Sequence, residues 1–512
     1  MVALVLSQVA GLARSIIVAR TFGASAEMDA FSYANRVSET LFLLVAGGAL
    51  GSAFIPVFTG LLTKNNEDAA WKLASSLMNA VTLTLSLLAA LTAFFAPQVV
   101  RYAIAPGIVN DPGLFSLTVS LLRIQLISAV LFGLGGLIVG ILNAHQIFLI
   151  PALTASVYQL GIIFGAVVLA PSMGIYGLAW GVVIGSLFYL LIQLPSLFRQ
   201  KGKYTFTLGL HDAHTRQVIL LMGPRLLGVA VVQLNFWVNN NLASRMEEGS
   251  AASLTYGFSL MMTALSVIAQ SVAIAAMPTF SAQHALGKLD EMRTSLAASL
   301  RGILMLTLPA SIGMMILRVP LVSILYQRGE FSEHDVQLVS WALLWYAAGL
   351  VGHSSLEVLT RAFYAQHDTK TPVIVGTIAM ILNAVFSILF SRYFETIGWY
   401  PFGGLALANS LATALEVSTL FIFIRRRLNG IEGRSIADGT WRFGLSGLGM
   451  TIGLLAWIQL TAGMNRWIIG LGGVALGAAI YFVGVVLLKV PEVKMMMNAI
   501  ARRLPRRVSS SQ

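Results

Sequence analysis

The chain has 512 residues, of which 57% are hydrophobic and 11% are charged, and its formal net charge is +12. Soluble domains have roughly 45–50% apolar and about 25% charged residues, so this composition excludes an ordinary water-soluble protein. The sequence contains no cysteine, which excludes disulfides, thiolate metal sites and a cysteine nucleophile.

Apolar segments of roughly 20 residues, enough to span a bilayer, recur along the whole chain. Because lipid cannot satisfy backbone N–H and C=O groups and the apolar runs are continuous, we expect helices rather than a barrel. The first run continues from Val2 past Arg14 without a small-residue cleavage site, which favours a membrane helix over a removed signal peptide. We predict an all-α polytopic membrane protein with about 14 transmembrane helices, at 2–20, 30–62, 72–98, 114–143, 150–170, 174–197, 215–244, 252–282, 296–325, 336–365, 371–391, 402–424, 441–462 and 467–488.

The positions of Lys and Arg indicate the orientation of these helices. Cations cluster in alternate loops, as in 199–216 and 425–442, whereas the opposite loops carry about one each. By the positive-inside rule both termini are cytoplasmic and the number of spans is even. The basic tail, 490–512, is expected to lie on anionic lipid headgroups, and no nucleic-acid partner is expected.

An internal repeat divides the chain. Pro56 in Ala-Phe-Ile-Pro-Val-Phe-Thr corresponds to Pro278 in Ala-Ala-Met-Pro-Thr-Phe-Ser, 222 positions later. Gly107 and Gly329 have the same spacing, and Pro151 faces Pro372 at nearly the same spacing. Each copy holds about six helices, an even number, so the copies are parallel repeats with a cleft between them.

The predicted domains follow from this duplication. Two six-helix lobes that rock about a central cleft are an arrangement typical of alternating-access transport. Two further helices lie outside the repeat. The predicted boundaries are 1–198 for the N-terminal lobe, 199–214 for a basic cytoplasmic linker, 215–428 for the C-terminal lobe, 436–489 for the last two helices and 490–512 for the tail.

Ionisable residues at bilayer depth are the candidate site residues. Each costs at least about 2.5–3.5 kcal/mol on insertion scales, so such side chains usually face a cavity or a partner. We predict that four residues bind substrate: Arg14, Asp29, Arg36 and Arg225. Four more are candidates for coupling or gating: Glu39, Glu357, Arg361 and Glu416.

Local pairing is the alternative explanation for several of them. Asp29 has the position of a helix N-cap, and the spacings of Arg36 with Glu39 and of Glu357 with Arg361 permit ion pairs within one helix. Arg14 and Arg225 have no acidic residue nearby in sequence, so these two are the main cavity candidates. Because guanidinium groups match phosphate oxygens, an arginine-lined cleft favours an anionic, phosphate-bearing cargo.

Several motifs resemble one known family. The opening of the chain resembles that of the MurJ (MviN) lipid II flippases, which belong to the multidrug/oligosaccharidyl-lipid/polysaccharide exporter superfamily. The similarity extends over nearly the whole chain. The residues that carry it include Gly11-Leu12-Ala13-Arg14, Ile17-Val18-Ala19-Arg20, Asp29-Ala30-Phe31, Gly223-Pro224-Arg225, Tyr326-Gln327-Arg328-Gly329-Glu330-Phe331 and Asp368-Thr369-Lys370-Thr371-Pro372.

This resemblance implies two lobes around a cationic cavity, with the last two helices, 436–489, forming a groove for the lipid tail. It implies translocation of lipid II, the undecaprenyl-pyrophosphate-linked peptidoglycan precursor, from the cytoplasmic to the outer leaflet of the bacterial inner membrane. The family usually carries cavity arginines at positions that align with Gln8, Phe42 and Ser259. Arg225, which faces Gln8 in the repeat, and Arg36 are the predicted replacements.

Other functions remain as alternatives. A flippase for another polyprenyl-linked oligosaccharide would need the same kind of cationic cavity and lipid-tail groove. A drug or cation antiporter would instead depend on Glu357 or Glu416. A membrane enzyme would need a nucleophile or metal-binding motif, and the sequence has none. A degenerate transporter that serves as a scaffold is a further alternative. The expected partners are an anionic lipid-linked substrate, membrane lipids and cell-wall synthesis proteins, without a metal or cofactor.

Overall fold

The computed structural model describes residues 2–45, 48–200 and 202–492, and this part of the chain is helical without strands. Short helical segments, Ala96–Gln98, Val99–Ile104 and Pro106–Asn110, connect the fourth helix to the fifth. The main helices are α1 (Val2–Phe22), α2 (Ala26–Val45), α3 (Gly48–Thr63), α4 (Glu67–Phe94), α5 (Pro112–Ala144), α6 (Leu149–Met173), α7 (Ile175–Phe198), α8 (Ala213–Ala243), α9 (Ser250–Ala285), α10 (Leu289–Ile316), α11 (Arg318–Tyr326), α12 (Glu333–Ala365), α13 (Lys370–Thr396), α14 (Phe402–Arg427), α15 (Gly433–Leu460) and α16 (Ile468–Leu487).

The described residues contain 11 helices that are long and apolar enough to cross a membrane. A twelfth is α8 if its two parts, which are bent by 45°, form one span. Helix α2 does not meet this criterion because it carries Glu27, Asp29, Arg36 and Glu39. The predicted all-α, multi-pass membrane architecture is confirmed.

One predicted helix is divided in the structure, and another lies partly outside the described residues. The prediction at 30–62 corresponds to α2 and α3, with residues 46 and 47 outside the described part. The prediction at 296–325 corresponds to α10 and α11, which meet at Leu317. Pro320 follows this junction and has no N–H to donate to the preceding turn, so a helix readily ends just before it.

The chain forms two compact units. The first contains Met1–Tyr256 and Tyr326–Leu338, and the second contains Gly257–Leu325 and Val339–Gln512. Helix α8 therefore belongs to the first unit, although it follows the predicted linker. The lobe boundaries at 198 and 215 stay a prediction, and the predicted tail lies outside the described residues from 493 onward.

Small residues allow close helix packing in the first unit. Gly161 of α6 faces Gly185 of α7 so closely that a Cβ on Gly161 would lie 2.2 Å from the Cα of Gly185. Since a lipid environment supplies no hydrophobic force between helices, close backbone approach of this kind is a main source of packing energy. Ser38 of α2 adds a buried hydrogen bond of 2.7 Å to the carbonyl oxygen of Gln125 on α5.

The last two helices pack on α10 in the second unit. Met305 of α10, Phe443 and Met450 of α15 and Tyr481 of α16 belong to one buried cluster. Arg301 of α10 also makes an ion pair of 2.6 Å with Glu492, just beyond α16, and both side chains are mostly buried. The helix pair that is predicted to lie outside the repeat is therefore attached to α10, within the second unit, by apolar packing and by charge.

Candidate functional site

A cavity of about 370 Å³ lies inside the first unit and contains Arg14. The guanidinium of Arg14 is 3.4 Å from the Ser15 hydroxyl. Within the described part of the chain, no carboxylate lies at ion-pairing distance from it. The cavity is lined by α1, α2, α5, α6 and α7, through Arg14, Asn35, Ser38, Glu39, Phe42, Ser128, Phe132, Ala155, Tyr158, Val182 and Tyr189.

Arg36 is held away from this cavity by two contacts. Its guanidinium donates to the Glu39 carboxylate at 2.9 Å and lies 4.2 Å above the ring of Phe236 on α8. One turn further on, the Thr40 hydroxyl accepts a hydrogen bond of 2.9 Å from the indole N–H of Trp237. The local ion pair considered from the sequence is therefore present, and an aromatic contact from α8 accompanies it.

Asp29 is buried and caps a helix that is distant in sequence. One of its carboxylate oxygens accepts from the backbone N–H of Gly249 at 2.8 Å, and the other accepts from that of Ala252 at 2.7 Å. These are the free N–H groups at the start of α9, which a helix N-cap normally satisfies. The N–H of Met28 instead donates to the Ser25 hydroxyl, so Ser25 has the local capping role at α2.

The capping is reciprocal. Glu248, just before α9, accepts a hydrogen bond of 2.9 Å from the backbone N–H of Ala26 at the start of α2. Gly249 adopts φ +82°, and a Cβ there would lie 2.1 Å from the carbonyl oxygen of Ala24. We call this set of contacts, formed by Asp29, Glu248 and the two helix starts, the reciprocal cap.

The Tyr326–Phe331 motif packs beside the reciprocal cap. The N–H of Glu330 donates to the carbonyl oxygen of Arg20 at 2.9 Å, and the ring of Tyr256 contacts both Tyr326 and Phe331. A second cavity of about 810 Å³ opens here. Its acidic character was not predicted, and its lining includes Glu27, Glu247, Glu248, Glu330, His334 and Asp335.

Arg225 lies on α8, but its side chain is outside the part of the molecule that the structure describes. The three positions where the family usually has arginine are described. Gln8 is exposed, Phe42 lines the Arg14 cavity, and the carbonyl oxygen of Ser259 accepts from the Thr263 hydroxyl.

Three of the four candidates for coupling lie in the second unit, whereas Glu39 lies in the first. Glu357 and Arg361 form an ion pair of 2.9 Å on α12, the alternative that their spacing permitted. Glu416 on α14 is 7% exposed, and a Cβ on Gly376 would lie 3.1 Å from its Oε1 atom.

The loop between α12 and α13 carries the Asp368–Pro372 motif. The Asp368 carboxylate accepts from the Thr371 hydroxyl at 2.6 Å and from Arg427, at the end of α14, at 2.7 Å. Burial alone would raise the pKa of Asp368, but the hydrogen bonds from Thr371 and Arg427 outweigh it and lower the pKa to about 2. The motif therefore ties this loop to the end of α14.

The second unit also contains an apolar cavity of about 680 Å³. Helices α10, α15 and α16 supply most of its lining, including Met305, Pro309, Met450, Ala478 and Phe482. Among the described residues, no cluster of His, Asp and Glu has the arrangement of a metal site.

Comparison with known proteins connects these features to one family. The family model described as "Lipid II flippase MurJ" matches residues 18–472. The Lipid II flippase MurJ of Burkholderia cenocepacia is 30% identical over 89% of this chain and 88% of its own length. The Probable lipid II flippase MurJ of Vibrio cholerae is 30% identical over 95% of this chain and 94% of its own length.

Solved structures support the same assignment. The chain matches "Lipid II flippase MurJ, inward closed conformation" with a TM-score of 0.83 and 25% identity, covering 96% of this chain and 99% of that one. An inward-facing multidrug resistance MATE transporter of the MOP superfamily shares the fold, with a TM-score of 0.71 over 83% of this chain and 94% of its own, at 15% identity. The chain is a multi-pass membrane protein that belongs to the MurJ family of lipid II flippases.

Proposed function

We propose that the chain translocates lipid II from the cytoplasmic to the outer leaflet of the bacterial inner membrane by alternating access of two six-helix lobes, 1–198 and 215–428. Translocation makes and breaks no covalent bond, so the protein acts as a transporter rather than an enzyme and needs no cofactor. Membership of the family supports this function, since the related proteins carry the name lipid II flippase.

The observation that carries the proposal is the placement of Arg14. Its guanidinium lines a cavity and has no carboxylate at ion-pairing distance among the described residues. A permanent positive charge beside a cavity favours an anionic ligand, and guanidinium binds phosphate oxygens in bidentate fashion. Arg225 is proposed as a second phosphate ligand, and Arg36 contributes after its release from Glu39.

The apolar cavity in the second unit suits the lipid part of the substrate. Its lining is almost entirely aliphatic, Met and aromatic side chains, and its volume of about 680 Å³ accepts a segment of a polyprenyl chain. Helices α15 and α16, which correspond to the predicted segment 436–489, supply one wall. We propose this wall as the lipid-tail groove.

The conformational cycle requires contacts that form in one state and break in another. The reciprocal cap is proposed as such a contact, since Asp29 satisfies two N–H groups at the start of α9 that would otherwise be unpaired. We propose that Asp29 responds to substrate binding through the reciprocal cap. Glu39, Glu357, Arg361 and Glu416 are proposed to couple or gate the change.

The charges of the loops support a proposed orientation of the chain in the membrane. The basic loops, with Arg425, Arg426 and Arg427 at the end of α14, are proposed to face the cytoplasm together with both termini. The tail is proposed to bind anionic lipid headgroups, and proteins of cell-wall synthesis are proposed partners.

The direct test is replacement of the lipid II flippase in a bacterial depletion strain, combined with flipping of fluorescent lipid II in proteoliposomes. We expect this chain to support growth and to flip lipid II, whereas an Arg14→Gln variant fails in both assays. Growth failure with normal membrane insertion, together with no flipping, would remove the proposal. Activity on another polyprenyl-linked glycan alone, or cation-coupled drug efflux that depends on Glu357 or Glu416, would support the alternatives.

A further inference from the structure

We infer that the Arg14 cavity binds a pyranose ring of the lipid-linked headgroup, with an aromatic wall as the platform for that ring. This inference rests on the proposed function and specifies which part of the substrate occupies this cavity. It follows from the arrangement of aromatic rings, the free polar groups and the balance of charge.

The aromatic wall consists of Phe42, Phe132, Tyr158 and Tyr189, all of which line the cavity. The ring of Phe132 is central, with centroids 5.4 Å from Phe42, 4.8 Å from Tyr158 and 5.2 Å from Tyr189. The C–H groups on one face of a pyranose are weakly positive and pack on aromatic rings, whose faces are negative. A wall of this kind on one side of a cavity therefore favours a sugar ring.

Polar groups line the same cavity. The Asn35 carboxamide has no hydrogen-bond partner among the described residues, and it lies one turn from Glu39 on α2. Glu39 uses its Oε2 atom for Arg36, so its Oε1 atom can still accept. A carboxamide and a carboxylate oxygen match neighbouring hydroxyl or N-acetyl groups of a sugar, because together they supply donors and acceptors.

The charge balance argues against a pyrophosphate group as the main occupant. Arg14 contributes one positive charge to the lining and Glu39 contributes one negative charge. A whole pyrophosphate inside the cavity would place two phosphates beside the Glu39 carboxylate, and like charges in a partly buried site repel strongly. Arg14 therefore pairs with only the sugar-linked phosphate of the pyrophosphate, while the lipid-linked phosphate stays outside the cavity and the ring lies against the aromatic wall.

The size of the cavity agrees with this occupant. Its volume of about 370 Å³ falls in the roughly 300–1,000 Å³ range of small-molecule sites, which combine apolar walls with a few oriented polar groups. One sugar ring fits this description, whereas a complete disaccharide with its attached peptide must extend beyond the cavity.

The test compares two probes on the full chain in nanodiscs: undecaprenyl pyrophosphate, which has no sugar, and lipid II. We expect wild type to bind lipid II more tightly than undecaprenyl pyrophosphate. Phe132→Leu and Phe42→Leu should reduce this preference by about five-fold, a typical size for an aromatic contact. The affinity of both variants for undecaprenyl pyrophosphate should stay nearly unchanged. A separate Phe132→Tyr variant, which keeps an aromatic ring, should retain the preference for lipid II.

Phe94→Leu provides the matched control because Phe94 is 75% exposed and lies outside the cavity. Thermal unfolding of each variant separates loss of binding from loss of folding. If properly folded Phe132→Leu and Phe42→Leu proteins keep the full preference for lipid II, the inference is wrong and the proposed function stands. If wild type binds neither probe and does not flip lipid II, the proposed function itself is wrong.

Discussion

The carboxylate of Asp29 accepts a hydrogen bond from the backbone N–H of Gly249, a residue 220 positions further along the chain. This separation is close to the 222 positions between Pro56 and Pro278 in the internal repeat. The turn between α1 and α2 and the turn between α8 and α9 therefore have corresponding positions in the predicted repeat. Asp29 of α2 caps the start of α9, and Glu248, just before α9, caps the start of α2.

The first prediction concerns Asp29. Asp29→Ala leaves the N–H groups of Gly249 and Ala252 without their acceptors in a buried position, which costs about 1–3 kcal/mol for an unsatisfied buried donor. We expect a lower thermal unfolding midpoint and impaired flipping of lipid II. Differential scanning fluorimetry and the proteoliposome assay measure the two effects.

Asp111→Ala is the control for this change. Asp111 also caps two N–H groups, those of Gly113 and Leu114, but it does so within its own helix and in an exposed position. We expect a loss of about 1 kcal/mol of stability with near-normal flipping. Equal effects of the two substitutions on transport would show that the cap at α9 has no special role.

The second prediction tests the close approach at Gly249. Gly249→Ala combines a positive φ with a Cβ that would lie 2.1 Å from the carbonyl oxygen of Ala24. Gly287 has φ +67° and open space around its missing Cβ, so Gly287→Ala keeps the backbone strain without the clash. We expect a cost near 1 kcal/mol at Gly287 and more than about 2 kcal/mol at Gly249.

Thermal unfolding of the two glycine variants side by side gives the comparison. The difference between them, rather than either value, isolates the clash because both substitutions carry the same cost of a left-handed backbone. Equal midpoints for the two variants would mean that the turns at Ala24 and Gly249 can separate without loss of stability.

The all-helical fold and the local charge pairs were predictable because they depend on interactions close in sequence. Composition and the length of apolar runs predicted helices, and spacings of three and four residues predicted the pairs of Arg36 with Glu39 and of Glu357 with Arg361. Pro320 also offered a signal for the division between α10 and α11, which the prediction did not use.

The partners of Asp29 were not predictable in the same way. An aspartate near a helix start fits a local N-cap equally well, and only the three-dimensional arrangement brings Gly249 and Ala252 to it. The aromatic contact of Arg36 with Phe236 and the grouping of three rings around Phe132 likewise arise from the three-dimensional arrangement. Such contacts depend on helix packing, which hydrophobic patterning alone does not specify.

The third prediction concerns charge in the Arg14 cavity. Arg14→Gln removes the positive charge, and Arg14→Lys keeps it without the planar fork that binds phosphate in bidentate fashion. We expect flipping to fall about ten-fold or more for Arg14→Gln, since a hydrogen bond to a charged group contributes about 1.5–3 kcal/mol. Arg14→Lys should retain part of the activity.

Arg20→Gln is the control for Arg14, since Arg20 lies on the same helix but is exposed and outside the cavity. Its flipping rate should stay within about two-fold of wild type, as expected for a surface substitution. A similar loss for Arg20→Gln would indicate that the net charge of α1, and not its placement in the cavity, matters for transport.

The fourth prediction is a pH dependence at Asp368. Its pKa of about 2 lies below the ordinary value of 3.8, so the folded state favours the ionised carboxylate. The resulting stabilisation is complete above about pH 4 and is lost as the pH falls through the folded pKa. We expect Asp368→Asn to lower the unfolding midpoint at pH 6 and to reduce its change between pH 4 and pH 2.

Asp290→Asn is the comparison for Asp368. Asp290 also pairs with an arginine, Arg293, but its side chain is 89% exposed, so the pair is strongly screened by solvent. Its substitution should leave the pH dependence of unfolding unchanged. If the unfolding midpoint of wild type does not change between pH 4 and pH 2, the link between Asp368 and Arg427 has no stabilising role.

The fifth prediction tests the lipid-tail groove. Ala478 and its neighbour Ala479 are both exposed. Ala478 lines the apolar cavity, and Ala479 does not. Ala478→Phe fills part of the cavity with a ring, so it should weaken the binding of lipid II with a full undecaprenyl chain while sparing a short-chain analogue. Ala479→Phe adds the same ring to the same helix and should affect neither ligand, so equal losses for the two variants would place the lipid tail elsewhere.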